Sequence, residues 1–239
     1  MVLIDNGDKR LPYAIDYLKK YDIKLGLESD NIVILPINGT NDLGFIKNTN
    51  IRIDDLYKEK PFDILITGQK NNYLENFMKD KGILVSYYDE ALLNENSYYT
   101  ALGLLGIIIN NIDFSLKDKR ILILGFGHSG KEITKILLPF TKNIDVYNRT
   151  DYRLEIEALG LNYLNQINGL DYHLIINTIP KKIIQGAPTC KIFDIASKKG
   201  FDEEIDVIHS LGIPNMMPID AGISLGKAIE RALEKIIWK

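Results

Sequence analysis

The chain has 239 residues, 46% of them hydrophobic and 26% charged, with 29 Lys and Arg against 32 Asp and Glu and a formal net charge of −3. That is the balance of an ordinary globular protein, and it argues against a nucleic-acid partner, because a phosphate backbone selects clustered cations. Cys190 is the single cysteine, and the three histidines (His128, His173 and His209) are not spaced as ligands on one helix face, so neither a disulfide nor a metal is expected.

In chain order, residues 2–5 (VLID) read as a strand, followed by a polar turn and the helix-periodic LPYAIDYLKKY. Acid and base stand where a signal peptide would have its apolar core, so a cytoplasmic location is expected. Short apolar runs at 31–36, 63–68 and 82–86, bounded by Gly, Pro, Asn or Asp, read as buried strands, with a helix at 71–80. Alternation of this kind predicts a parallel sheet with helices on its faces, a flavodoxin-like first domain over 1–96. Apolar positions at helical spacing over 97–112 predict a helix buried between two halves, and 97–118 serves as connecting helix and link. Its most apolar part, 101–112, is too short to span a bilayer, so no membrane is expected.

A second domain is expected over 119–225, with strands at 121–125, 144–148, 161–164, 173–178, 191–196 and about 213–217. An amphipathic helix over 226–239 is expected to pack back on the first domain. Both domains are predicted to be doubly wound α/β units, and the second is a Rossmann dinucleotide-binding domain.

The second domain opens with ILILGFGHSGKEI, residues 121–133. A strand runs into Gly125, Gly127 and Gly130 at the G-x-G-x-x-G spacing, and a helix with Ile133, Ile136 and Leu137 on one face follows. The first glycine permits the turn, the second lets backbone approach a pyrophosphate, and the third lets the helix pack close to the sheet. The helix N-terminus directs N–H groups at the anion, and His128 and Ser129 are further candidate donors. An NAD site carries Asp or Glu at the end of the second strand. Here that strand ends at Asn148, with Arg149 and Thr150 next, which suits a 2′-phosphate and predicts NADP over NAD. Asn177, Thr178, Ile179 and Pro180 after the fourth strand, and Ala196 and Ser197 after the fifth, are expected on the nicotinamide side.

The residues from end to end resemble the dipicolinate synthase A-chain family, which makes pyridine-2,6-dicarboxylate in sporulation. NGDKR (6–10), GQKNNYLEN (68–76), NSYYTALG (96–103), GFGHSG, Arg149-Thr150, INTIP (176–180), DIASKKG (194–200) and PIDAG (218–222) follow the order of its motifs. The resemblance implies a two-domain fold like that of the D-2-hydroxyacid dehydrogenases and NADP-linked oxidation of dihydrodipicolinate. It also implies a partner, the flavoprotein-like B subunit, and a homo-oligomer is expected.

A dicarboxylate substrate requires cations and donors, for which Lys9, Arg10, Asn72, Ser97 and Thr100 are the candidates. Asp8 and Tyr98 are the candidate bases, and water is an alternative to both. Tyr99 and Leu102 replace the family's Pro and Glu before the long helix. The other readings are a shikimate dehydrogenase-like NADP oxidoreductase, suggested by Asn148-Arg149-Thr150, and a catalytically silent NADP-binding regulatory protein, suggested by Leu102. A D-2-hydroxyacid dehydrogenase would need a catalytic histidine, and none follows His209, which is expected to lie in a helix.

Overall fold

The computed structural model describes residues 2–20, 31–167, 169–184, 186, 188–201 and 205–237. The chain divides into two compact units, residues 1–95 with 218–239, and residues 96–217. Residues 218–225, expected with the second domain, therefore belong to the first.

In the first unit, β1 (Val2–Leu3), β2 (Ile32–Ile34), β3 (Ile64–Thr67) and β4 (Leu84–Tyr87) form a parallel sheet in the order β1-β2-β3-β4. The side-chain period of two sorts the strand residues between two cores. Ile32, Ile34, Ile64 and Ile66 face α1 (Leu11–Lys20) and α7 (Pro218–Ile237). Val33, Leu35 and Leu65 face α2 (Ile53–Glu59) and α3 (Asn72–Lys81). Helices on both faces make the unit doubly wound.

The C-terminal helix, predicted from 226, begins at Pro218. Gly222 and Gly226, which interrupt the helical pattern in sequence, lie against α1: a Cβ on Gly222 would stand 2.6 Å from the Arg10 carbonyl oxygen, and one on Gly226 2.8 Å from the Tyr17 ring. Three further hydrogen bonds pin α7. Tyr17 Oη donates to Glu230, and Arg231 grips Asp89 at 2.6 and 3.0 Å. The Arg231 hydrogen bonds hold the Asp89 carboxyl below its usual range.

The helix predicted at 97–112 is α4 (Glu90–Asn111), which begins about two turns earlier, where Asp89 accepts the Leu92 N–H. Leu92 belongs to the core of the first unit, while Ala101, Leu104 and Ile108 belong to that of the second.

The second unit holds six parallel strands in the order β10-β9-β8-β5-β6-β7. They are β5 (Ile121–Leu124), β6 (Ile144–Tyr147), β7 (Asn162–Leu164), β8 (Leu174–Asn177), β9 (Lys191–Asp194) and β10 (Val207–His209). This is the nucleotide-fold order, which reverses direction between β5 and β8. α4, α5 (His128–Leu137) and α6 (Arg153–Ala158) cover one face through Ile121, Ile123, Ile144, Val146, Leu174, Ile176 and Phe193.

The last strand departs from the sequence expectation. Residues 213–216 form a 3-10 turn, entered by Gly212 at φ +68 and carrying Pro214. The sixth strand is 207–209, so His209 lies in a strand and not in a helix.

At the amino edge of this sheet Asp145, 2% exposed, accepts hydrogen bonds from Arg120 (2.8 Å), Tyr172 Oη (2.8 Å) and Asn162 (2.8 Å). Burial alone would raise its pKa, but the three donors outweigh burial and hold the carboxyl below its usual value. Burial and the same carboxylate push the Tyr172 phenol up to about 12. A depressed carboxyl stabilises the fold fully above its unfolded value, near ~4, and loses that contribution as pH falls through the lower folded value. Asp145→Asn is expected to cost about 2 kcal/mol at about pH 7, with the gap from wild type narrowing by about pH 3; urea melts at the two pH values check this.

Candidate functional site

The carboxyl ends of β5, β6 and β8 bring the glycine loop together with two other turns. Leu124 passes into Gly125, whose φ of +100 favours glycine and whose Cβ would lie 2.2 Å from Thr178 Oγ1. Gly130 abuts the strand from which its helix springs: a Cβ there would stand 2.1 Å from the Gly125 carbonyl oxygen. Gly127, the N-cap of α5, is different. It is exposed, and a Cβ on it would meet nothing within 4 Å. The space over Gly127, at a helix N-terminus, is therefore open, and a helix N-terminus favours an anion. His128 is exposed and Ser129 half-buried in the first turn of α5.

Asn148 ties the loop to the second strand. Its Oδ1 accepts the Phe126 N–H at 3.0 Å and its Nδ2 donates to the Thr150 carbonyl at 2.9 Å. The side-chain amide is thus engaged at both ends in positioning the loop. Arg149 and Thr150 are exposed beside it, and Arg149 has no ion pair or hydrogen bond among the described residues. The mid-strand Asp145, the acid nearest in sequence on β6, is held in the amino-edge network by Arg120.

The turn after β8 is built from inside. Asn177 is wholly buried; its Oδ1 accepts the Ile179 N–H, and its Nδ2 donates to the Ile179 carbonyl and to Asp194 Oδ1 at 2.9 Å. Thr178 Oγ1 donates to the Leu124 carbonyl, which locks β8 to the glycine turn. Ile179 is half-buried and Pro180 exposed. Ala196 is buried with its N–H on Asp194, while Ser197 is exposed.

Asp194, 1% exposed at the end of β9, is a hub. Oδ1 accepts from Asn177 and from Ala196 N–H at 3.0 Å, and Oδ2 accepts from Gly200 N–H at 2.8 Å. His209 Nδ1 lies 3.5 Å from the same Oδ2. The parallel register that sets His209 beside Asp194 carries the pair, and a helical reading of 209 hides that register.

The candidates in the first unit are arranged otherwise. Arg10 is 8% exposed and forks onto Asp8, with Nε to Oδ1 at 2.9 Å and Nη2 to Oδ2 at 2.6 Å. Burial works to raise the Asp8 pKa, but the bonds from Arg10 prevail and lower it. That corrects the expectation of Asp8 as a base, since the carboxylate is fixed in an ion pair. Lys9 is exposed on the same turn. Asn72 is exposed in the first turn of α3, where the N-capping amide is that of Asn71, accepting from Leu74 N–H. Ser97 is buried in α4, and Thr100 returns its hydroxyl to the Asn96 carbonyl. Tyr98 is exposed and packs edge-on against Tyr99. Among the described residues no cluster of His, Cys, Asp and Glu could hold a metal ion, and no helix is long and apolar enough to cross a membrane.

No protein-family model matches the chain. It is 25% identical over 228 residues to the dipicolinate synthase A chain of Bacillus subtilis, covering 86% of this chain and 77% of the relative. Among solved structures, the dipicolinate synthase A chain of Bacillus halodurans superposes with a TM-score of 0.77 at 23% identity, over 97% of this chain and 96% of that one. D-lactate dehydrogenase of Escherichia coli superposes at 0.60 and 11% identity, over 99% and 96%. The fold is that of the D-2-hydroxyacid dehydrogenases.

The glycine geometry separates two roles. Gly130→Ala should destabilise the second unit by about 2 kcal/mol or more, because backbone must yield. Gly127→Val should leave the melting temperature of the chain close to that of wild type, because its side chain enters open space. Thermal and urea melts of the two variants check this.

Proposed function

We propose that this chain, a divergent relative of the dipicolinate synthase A chain, is an oxidoreductase that binds NADP at the carboxyl edge of its second unit and oxidises a dihydropyridine dicarboxylate. The observation that carries the reading is the open position over Gly127 at the start of α5, next to an exposed Arg149 with no partner of its own among the described residues. The α5 amides would hold the pyrophosphate, with His128 and Ser129 at its flank, and Arg149 with the Thr150 hydroxyl would hold the 2′-phosphate. Asp145 does not repel a 2′-phosphate at the end of β6, because it is held at the other edge of the sheet. When bound, the nicotinamide supplies the hydride acceptor.

The chain's own residues position and exclude. Thr178 and Asn177 fix the turn that would floor the nicotinamide, and Ile179, Pro180, Ala196 and Ser197 line it. In the first unit the exposed Lys9 is the cation we assign to a substrate carboxylate. Arg10, held by Asp8, would shape that turn, with Asn72, Ser97 and Thr100 as secondary candidates. Aromatisation of the substrate supplies the driving force, so orientation rather than strong activation is what the protein must provide. The family resemblance makes a B subunit the expected partner of the chain.

Three outcomes test the reading. Purified chain should form NADPH from freshly generated dihydrodipicolinate, with or without a B subunit, and turnover of shikimate instead would replace the substrate. Gly127→Val should abolish NADPH binding in a fluorescence titration. Arg149→Ala should weaken NADPH roughly tenfold or more, as the loss of a charge-assisted bond worth about 1.5–3 kcal/mol requires, and leave NADH within twofold. Equal loss of both nucleotides would remove the 2′-phosphate assignment.

A further inference from the structure

His209 ends β10, beside Asp194 at the end of β9, and the neighbouring β8 ends in Asn177. Three N–H groups fix the Asp194 carboxylate, from Asn177, Ala196 and Gly200. A Cβ on Gly200 would stand 2.2 Å from Asn177 Nδ2, so the loop closes over the carboxylate only because that residue is glycine. With its geometry fixed in this way, one side of Oδ2 is left toward the His209 ring, 3.5 Å from Nδ1. The carboxylate is fully buried and the histidine 38% exposed, so the pair runs from the interior to the surface. His209 Nε2 has no hydrogen-bond partner among the described residues. A carboxylate that closes from this distance onto Nδ1 would set the imidazole tautomer that leaves Nε2 as an acceptor, which is the arrangement of a proton-transferring histidine. All of this lies at the carboxyl ends of the strands on the β8 side of the switch point, where the nucleotide fold seats the reacting ring.

We infer that His209 is the catalytic base of the oxidation and Asp194 its positioning residue. The inference rests on the oxidoreductase reading above and supplies a proton acceptor where Asp8 is held in its ion pair with Arg10. Oxidation removes a hydride from one ring carbon of the dihydropyridine, for which a bound nicotinamide would be the acceptor. The electron pair of a second ring C–H or N–H bond stays in the ring as it becomes aromatic. The proton from that bond passes to His209 Nε2 and then to water. The ring loses two electrons in all, which bound NADP would accept.

His209→Gln should bind NADPH with a Kd within about twofold of wild type and lose turnover by roughly 100-fold or more, the usual contribution of a general base. His209→Ala should recover part of that turnover on addition of imidazole, which a merely structural histidine would not. Because Asp194 also holds its loop, the pair is read in the unmodified chain: 15N NMR of neutral His209 should show the proton on Nδ1. A proton on Nε2 overturns the pairing. Unchanged turnover in His209→Gln, or loss without imidazole rescue, overturns the catalytic role alone. Wild-type chain that binds NADPH yet never oxidises dihydrodipicolinate overturns the substrate reading and the role together.

Discussion

Everything at the carboxyl edge of the second unit depends on how closely α5 approaches the sheet. The Gly125 carbonyl occupies the place where a side chain on residue 130 would begin. Only a hydrogen there lets the helix start directly above the strand end, so that its first amides come level with the ends of β6 and β8. Two polar clamps then hold the neighbouring turns to the same point. Asn148 reaches back to Phe126, and Thr178 reaches across to Leu124. Taken one at a time, these side chains look like ligand-binding groups. In the fold they are internal braces, and the Arg149 guanidinium is the charged group left outward beside them.

The molecule treats its ionisable groups in three ways, and burial decides which. Asp145 and Asp194 are nearly inaccessible, and each receives at least three donors, as a buried carboxylate requires. They stand at opposite edges of one sheet. The network at the amino edge faces Arg120 and Tyr172 and is structural, whereas the one at the carboxyl edge opens onto a half-exposed imidazole. Arg10 is the intermediate case, a cation turned inward and matched by a neighbour two residues away. Arg149 is the opposite, a cation at the surface with no counter-charge among the described residues.

The buried strands and the glycine turn were legible because each has a local cause. A run such as ILIL can only be covered on both faces, and three glycines at that spacing serve three separate steric needs. The sixth strand was not legible. Val207, Ile208 and His209 form an edge strand that is only partly covered, so no uninterrupted apolar run marks it. The apolar IPNMMP that suggests a strand further on is a 3-10 turn forced by Gly212 and Pro214. The start of α7 was hidden for a related reason. Gly222 and Gly226 read as breakers in isolation, yet they are what lets α7 touch α1, a tertiary contact with no trace in local pattern. Asn177, Asn148 and Asp8 are recognisable in sequence as polar groups at strand ends. Their partners, distant in the chain or folded back onto the same turn, decide whether such a group faces a ligand or the protein.

The division of the chain has a consequence for its birth on the ribosome. The first unit is interrupted: residues 96–217 are inserted between its sheet and the helix that covers one face of it. Leu225, Ala228, Ile229, Ala232 and Leu233 of that helix fill the same core as Ile32, Ile34, Ile64 and Ile66. Until that helix leaves the exit tunnel, those isoleucines have only α1 and the start of α4 to shelter them. The inserted unit, contiguous in the chain, is complete first and can fold as translation proceeds. The nascent protein thus carries a finished nucleotide fold alongside an amino-terminal half still waiting for its lid, and that half is where a chaperone would find exposed apolar surface.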